Sequence, residues 1–269
     1  MAEAATVSIE SAFAAARDQG RAALMPYLMG GFPDQGTATA VAEAYADSGA
    51  DLIELGVPFS DPLADGPTIH AADTAALEAG ATLESVLETC AAVGERIPVA
   101  LMVYANMILA RGVEEFGRMA AEARASGVIV PDLPLEEQAD LAAALESHGL
   151  SLIPLAAPTS SPQRRREISR HARGFVYAVA VVGTTGERTG EMGKDLREFV
   201  EELKGHSEVP VAIGFGISTP EQAAEFGEVA DGVIIGSRLV REVADAPDRD
   251  AAVRGVSDFV SATRDALGR

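Results

Sequence analysis

Eight short apolar runs recur along this chain, each followed by a longer stretch of helical periodicity, and this alternation leaves few folds open. The runs are Leu24 to Met29, Asp51 to Leu55, Val99 to Val103 and Gly127 to Val130, then Leu150 to Leu155, Phe175 to Val181, Val209 to Ile213 and Gly232 to Ile235. Successive runs begin 23 to 34 residues apart, except for a 48-residue step between Asp51 and Val99 that leaves room for an extra helix. Several runs are almost wholly apolar rather than alternating, as suits parallel strands covered on both faces. Helix starts are marked too: Ser161-Pro162 and Thr219-Pro220-Glu221 each set an N-cap before a proline at the first helical position. Eight β–α units without a linker-like break predict an α/β fold, a single (β/α)8 TIM barrel domain over residues 1–269, with an extra N-terminal helix and an extra helix after strand two. A doubly wound open sheet is the alternative this alternation admits.

At 269 residues and 48% hydrophobic content the chain can fill such a barrel. The single cysteine, Cys90, rules out an intramolecular disulfide framework. The histidines (His70, His148, His171 and His206) are far apart and offer no ligand-spaced pair for zinc. The N-terminus is polar and helix-like, without the apolar core of a signal peptide. The longest mostly apolar stretch, Ile97 to Ala110, is interrupted by Pro98 and Asn106 and falls short of the roughly 20 residues that span a bilayer. A cytoplasmic protein is expected, without membrane attachment.

The net charge of −20 speaks against nucleic acid, whose phosphates are gripped by basic patches. The one basic cluster, Arg164-Arg165-Arg166, sits in a helical pattern beside Glu167 and reads as a solvated face. So large an acidic excess repels itself unless salt screens it, which fits a salt-rich cytoplasm. The melting temperature is therefore expected to rise on adding salt. A thermal melt that is flat or falling between low and high ionic strength counts against that reading.

Two glycine-rich segments follow the last two runs: Gly214-Phe215-Gly216-Ile217-Ser218 and Gly236-Ser237-Arg238. In this architecture the loops after strands seven and eight commonly build a phosphate site, where backbone N–H groups and a helix N-terminus face the anion. The same glycines also suit ordinary tight turns. A Rossmann fingerprint is disfavoured, because the third glycine is missing and the motif comes late in the chain. After strand six, Gly183 to Gly190 (GTTGERTG) forms a polar glycine-rich loop of the kind that closes over barrel active sites, or an ordinary loop.

Glu54 stands among Leu52, Ile53 and Leu55 in the second run. A carboxylate in a barrel interior is costly unless protonated or hydrogen-bonded, so Glu54 is either a structural group or an acid/base with a tuned pKa. Asp61 and Asp65 follow in SDPLADGP, a loop stiffened by prolines; each can also cap a turn. A Schiff-base aldolase needs an interior lysine, and neither Lys194 nor Lys204, the only two, lies in a strand run. Carbon–carbon cleavage here would fall to proton transfer between carboxylates.

The stretch LIELGVPFSDPLADGPTIH resembles the signature of the tryptophan synthase α subunit family, and the likeness extends through PYLMGGFPD, VYAN, VPDLP, GTTGER, GFGIS and IIGSR. The resemblance implies retro-aldol cleavage of indole-3-glycerol phosphate to indole and glyceraldehyde 3-phosphate, a lyase step of tryptophan biosynthesis. It implies that Glu54 is the acid/base that protonates indole C3, and that Asp65 stabilises charge developing on the ring through its N–H. Tyr177 then stands near the substrate. Gly186, Gly216, Gly236 and Ser237 match phosphate-loop positions with Phe215 nearby, and Thr185 matches a loop threonine that contacts the aspartate. No metal and no cofactor is implied in this chain; pyridoxal phosphate is expected only in a partner β subunit, within an α2β2 heterotetramer. Ala180-Val181 and GTTG depart from the Ser-Arg and GVTG common in bacterial members, and Leu24 stands where an aromatic is often found at the start of strand one. A ligand-binding regulatory subunit and another phosphate-binding barrel enzyme acting on a related sugar phosphate are the competing readings.

Overall fold

A computed structural model describes residues 7–179, 193–214 and 216–268. Strands and helices alternate along it. Helix α1 (Ile9–Asp18) precedes β1 (Ala23–Met29), α2 (Gln35–Asp47) and β2 (Ile53–Gly56). Two helices, α3 (Pro67–Glu78) and α4 (Leu83–Val93), fill the long step before β3 (Val99–Met102). Then come α5 (Ala105–Leu109), α6 (Val113–Glu122), β4 (Gly127–Ile129), a 3₁₀ turn at Leu135–Glu137 and α7 (Ala139–Ser147). The last part holds β5 (Ser151–Ile153), β6 (Leu155–Ala156), α8 (Pro162–His171), β7 (Val176–Val179), α9 (Lys194–Lys204), β8 (Val211–Gly214), α10 (Pro220–Gly227), β9 (Gly232–Ile235), α11 (Ser237–Asp245) and α12 (Arg249–Leu267).

All pairings are parallel, in the order β5-β4-β3-β2-β1-β9-β8-β7-β6. The two end strands are consecutive in sequence, so the chain itself closes the sheet into a barrel. The run Leu150 to Leu155, expected as one strand, is split at Pro154 into β5 and β6. Proline has no N–H for the ladder, so β5 stays with β4 and β6 turns to β7. The Pro154 carbonyl still accepts from Tyr177 N at 2.9 Å. The barrel of eight β–α units is thus read as nine strands because of one residue.

Alternate residues of each strand face the interior. Ala23 and Met25 from β1, Leu52 just before β2, Ala100, Ile129, Ile153, Phe175, Ala212 and Ile234 form the inner cluster. Their neighbours Leu24, Ile53, Leu55, Leu101 and Val128 pack outward against the helices. Helix α1 plugs the N-terminal end of the barrel: Ile9 and Phe13 join the inner cluster, with the Phe13 ring 5.6 Å from that of Phe175. Ser8 starts α1 through a reciprocal capping box with Ser11. The two N-caps expected from sequence are formed, Ser161 accepting from Arg164 N and Thr219 from Gln222 N.

The basic cluster is less solvated than its sequence suggests. Arg165 is largely buried, pairs with Glu202 at 2.5 Å and lies over the Phe199 ring at 5.1 Å, tying α8 to α9. Its apolar stem and flat head allow both packing and pairing. Arg164 pairs with Glu136 at the surface.

Candidate active site

The C-terminal ends of the strands surround a cavity of about 420 Å³. Glu54 reaches it from β2, Asp65 from the loop that follows, and Tyr177 from β7. Gly216 follows β8, and Gly236 and Ser237 lead from β9 into α11; all three line the same space. Thr185, Gly186 and Phe215 lie outside the described residues.

Strand parity explains Glu54. With Leu52 inside and Ile53 and Leu55 against the helices, residue 54 must face the barrel interior. Its side chain is 1% exposed, and neither carboxyl oxygen has a hydrogen-bond partner among the described residues. Burial pushes its pKa up to about 8, and the charge of Asp65 adds to the rise. The Tyr177 hydroxyl beside it opposes that rise without reaching the geometry of a formed hydrogen bond. Near neutral pH, Glu54 therefore carries its proton, as a general acid must.

Asp65 is half-buried. Its Oδ2 accepts from the Tyr104 hydroxyl at 2.8 Å, and that hydroxyl accepts from Ala64 N at 3.0 Å. Burial raises the Asp65 pKa, while the Tyr104 bond and His70 pull against the rise. One oxygen of a carboxyl group is thus held and the group still faces the cavity. Asp61, by contrast, is exposed and does not line the cavity.

At the other side of the cavity the backbone is adapted to close approach. A Cβ on Gly214 would stand 2.6 Å from the Tyr177 hydroxyl, so only glycine lets that ring lie across β8. Gly216 has φ +48°, a conformation strained for side-chain-bearing residues. Helix α11 starts at Gly236 with no side-chain cap, which leaves first-turn N–H groups for an anion. Arg238 and Arg241, on the same helix, line this end as well. Arg238 pairs with Glu242 and lies 4.9 Å over the Phe259 ring.

Both lysines are remote from this space. Lys194 opens α9 and is exposed, and Lys204 closes it, bound to Asp231 at 2.8 Å and to the Val229 carbonyl at 3.0 Å. Among the described residues no three His, Cys, Asp or Glu side chains converge as metal ligands.

Several groups here escaped the sequence reading. Tyr27, the buried aromatic of β1, lines the cavity, whereas Leu24 of the same strand faces the helices. Burial first, then the charges of Asp65, Asp73 and Glu54, hold the Tyr27 hydroxyl protonated well above its ordinary value. Tyr104, the tyrosine of VYAN, and Asp73 in α3 were also missed. For Tyr104 the signal was its place directly after strand three, at the end of the barrel where active sites form.

Comparison with known proteins places this geometry. A family model described as tryptophan synthase alpha chain matches residues 13–266. The tryptophan synthase alpha chain of Synechococcus elongatus is 45% identical over 265 residues, covering 97% of each chain. That of Geobacter sulfurreducens is 44% identical, covering 97% of this chain and 98% of its own. Among solved structures, Mycobacterium tuberculosis tryptophan synthase superposes with a TM-score of 0.90 at 36% identity, over 98% of this chain and 100% of the matched chain. The alpha subunit from Legionella pneumophila gives 0.87 at 33% identity, over 98% and 99%. With residues 13–266 matched by the family model and its barrel superposed on solved members, the chain belongs to the tryptophan synthase alpha chain family.

Proposed function

We propose that Glu54 and Asp65 carry out the retro-aldol cleavage of indole-3-glycerol phosphate in this cavity, releasing indole and glyceraldehyde 3-phosphate. The observation that carries the assignment is the buried Glu54 carboxyl, without a hydrogen-bond partner among the described residues and with its pKa pushed up to about 8. Family membership makes the chain a carbon–carbon lyase of tryptophan biosynthesis. The residues define how the step proceeds. Protonated Glu54 delivers its proton to indole C3, which turns the ring into a leaving group. The ring N–H becomes acidic as positive charge develops, and Asp65 accepts from it. The Glu54 carboxylate then takes the proton of the glycerol hydroxyl; the hydroxyl oxygen becomes the aldehyde carbonyl as the carbon–carbon bond breaks. Glu54 ends the cycle protonated, so no external acid, metal or cofactor enters the balance.

Met102, Leu155 and Ile234 give the cavity an apolar wall suited to a flat indole. The phosphate fits the opposite end, at Gly216, Gly236 and Ser237, where the N-terminus of α11 and the nearby Arg238 and Arg241 supply positive potential. Tyr177 lies against Glu54, and Thr185, Gly186 and Phe215 are assigned to substrate binding on the family likeness.

The partner is a β subunit that carries pyridoxal phosphate and consumes the indole, in an α2β2 assembly. Leu63 is 83% exposed on the loop after β2, and Leu109 is exposed at the end of α5 after β3, so both crown the end of the barrel that holds the site. Exposed large apolar side chains at one end suit a protein partner. The cytoplasm is the compartment where this biosynthetic step takes place. No helix among the described residues is long and apolar enough to cross a membrane.

Indole release from indole-3-glycerol phosphate, measured with and without a β subunit, tests the assignment. Release is expected in both cases and is faster with the partner. No release even with the partner overturns it.

A further inference from the structure

Among the described residues, Asp73 is the most deeply buried carboxyl that the cleavage step does not use. It lies in the second turn of α3 and is 1% exposed. The neighbouring inward residues of that helix, Ile69, Ala72 and Ala76, pack with Tyr27 and Met29 in an apolar cluster. An apolar side chain would suit this place better on packing grounds, since a buried polar atom without a partner loses its hydration and gains nothing in return. Yet Asp73 Oδ2 has no partner among the described residues. What the carboxyl does provide is one bond: Oδ1 accepts from Phe59 N at 3.1 Å.

Phe59 connects that bond to the active site. Its ring stacks on Tyr104, with centroids 5.0 Å apart and planes at 25°. Tyr104 in turn donates to Asp65 Oδ2 and accepts from Ala64 N. The segment from residue 59 to 65 is therefore gripped at both ends, by Asp73 at its start and by Tyr104 at its finish, and the two grips touch through the stacked rings. The exposed stretch between them, Ser60 to Ala64 with only Pro62 buried, has little packing of its own to hold a direction.

We infer that Asp73 is a positioning residue: by holding the Phe59 N–H it sets the Phe59–Tyr104 stack, and through it the direction of the Asp65 carboxylate. This rests on the reading of Asp65 as the group that accepts from the indole N–H. Misplacement of a reacting group by about 1 Å can cost about 100-fold. Loss of the grip is expected to lower kcat by roughly tenfold or more while KM changes little, because Asp65 acts as charge develops rather than on binding.

The test uses the α subunit with its β partner and five variants. Asp73→Asn keeps an acceptor for Phe59 N and is expected to retain most of the wild-type kcat. Asp73→Leu, similar in size but without an acceptor, is expected to show the kcat loss. In an Asp65→Asn background, Asp73→Leu is expected to add little further loss, since it acts through the group already removed. Tyr104→Phe keeps the stack and removes the hydroxyl that donates to Asp65 and accepts from Ala64 N, so its kcat is expected to fall as well; it also serves if Asp73→Leu does not fold. A wild-type kcat for Asp73→Leu or Tyr104→Phe overturns the proposal, as does an equal fold-loss from Asp73→Leu with and without Asp65. Full activity for Asp65→Asn alone overturns the reading of Asp65 beneath it, a result distinct from the others.

Discussion

Glu54→Gln lowers the kcat for indole release at least ~10²-fold, the low end of what a positioned general acid contributes, and at the same time raises the melting temperature at alkaline pH. The two effects have one origin. The glutamine keeps the shape of the protonated acid but has no proton to give to C3 and no carboxylate to take the hydroxyl proton. In the wild type, folding carries a carboxyl from water into a site where neither oxygen is paired among the described residues, which raises its pKa from 4.5 to about 8. A folded acid with a raised pKa holds its proton where the unfolded chain has lost it. Its stability contribution is therefore fully present below pH 4.5, falls by about 1.4 kcal/mol per pH unit as pH climbs toward 8, and changes no further above that. Glutamine has no such dependence. Thermal melts of both proteins across pH 4 to 9 should converge at the acid end and diverge toward the alkaline end, with the variant the more stable. The rate should follow the same group: kcat/KM of the wild type declines on the alkaline side near pH 8. Equal kcat for variant and wild type would remove Glu54 from its role, and melts that stay parallel would show that its pKa is not raised.

How far the sequence revealed all this depended on whether a residue broke its local pattern. The strands around β1 to β4 were readable because parallel strands buried on both faces leave continuous apolar runs. Glu54 was readable because it interrupts one of those runs. Pro154 interrupts another, and the split of β5 from β6 follows from its missing N–H, but a proline near a strand end reads first as a boundary. Tyr27 passed unnoticed for the opposite reason: an aromatic within LMPYLM looks like core, and only the parity of the strand turns it toward the cavity while Leu24 faces the helices. Asp73 sits four residues after Ile69 and three before Ala76, on the buried face of α3, yet a lone aspartate in a helix reads as solvated until its neighbours are known. The link from Phe59 to Asp65 runs out of their shared loop to Tyr104, 39 residues beyond Asp65 after β3, and back, and no local pattern encodes that meeting. Arg165 shows the same limit at the surface, since its burial depends on Phe199 of another helix.

Asp65→Asn is expected to lower kcat by about 10²-fold, the lower end of what removing one electrostatic partner of a developing charge costs. The amide fills the same space and can still accept from Tyr104, so the loop should stay in place and KM should move far less than kcat. What is lost is the negative charge opposite the ring N–H. A second consequence follows from the coupling of the two carboxyls. The Asp65 charge helps to raise the Glu54 pKa, after burial. Without it the alkaline limb of the remaining activity should shift to lower pH, which a mere loss of packing would not produce. Because the two groups share one chemical step, Glu54→Gln and Asp65→Asn together should cost about as much as the more damaging of the two alone, rather than the product of both. Rates that multiply would mean that the two carboxyls act on separate steps, and an unmoved alkaline limb would mean that the Asp65 charge does not reach Glu54.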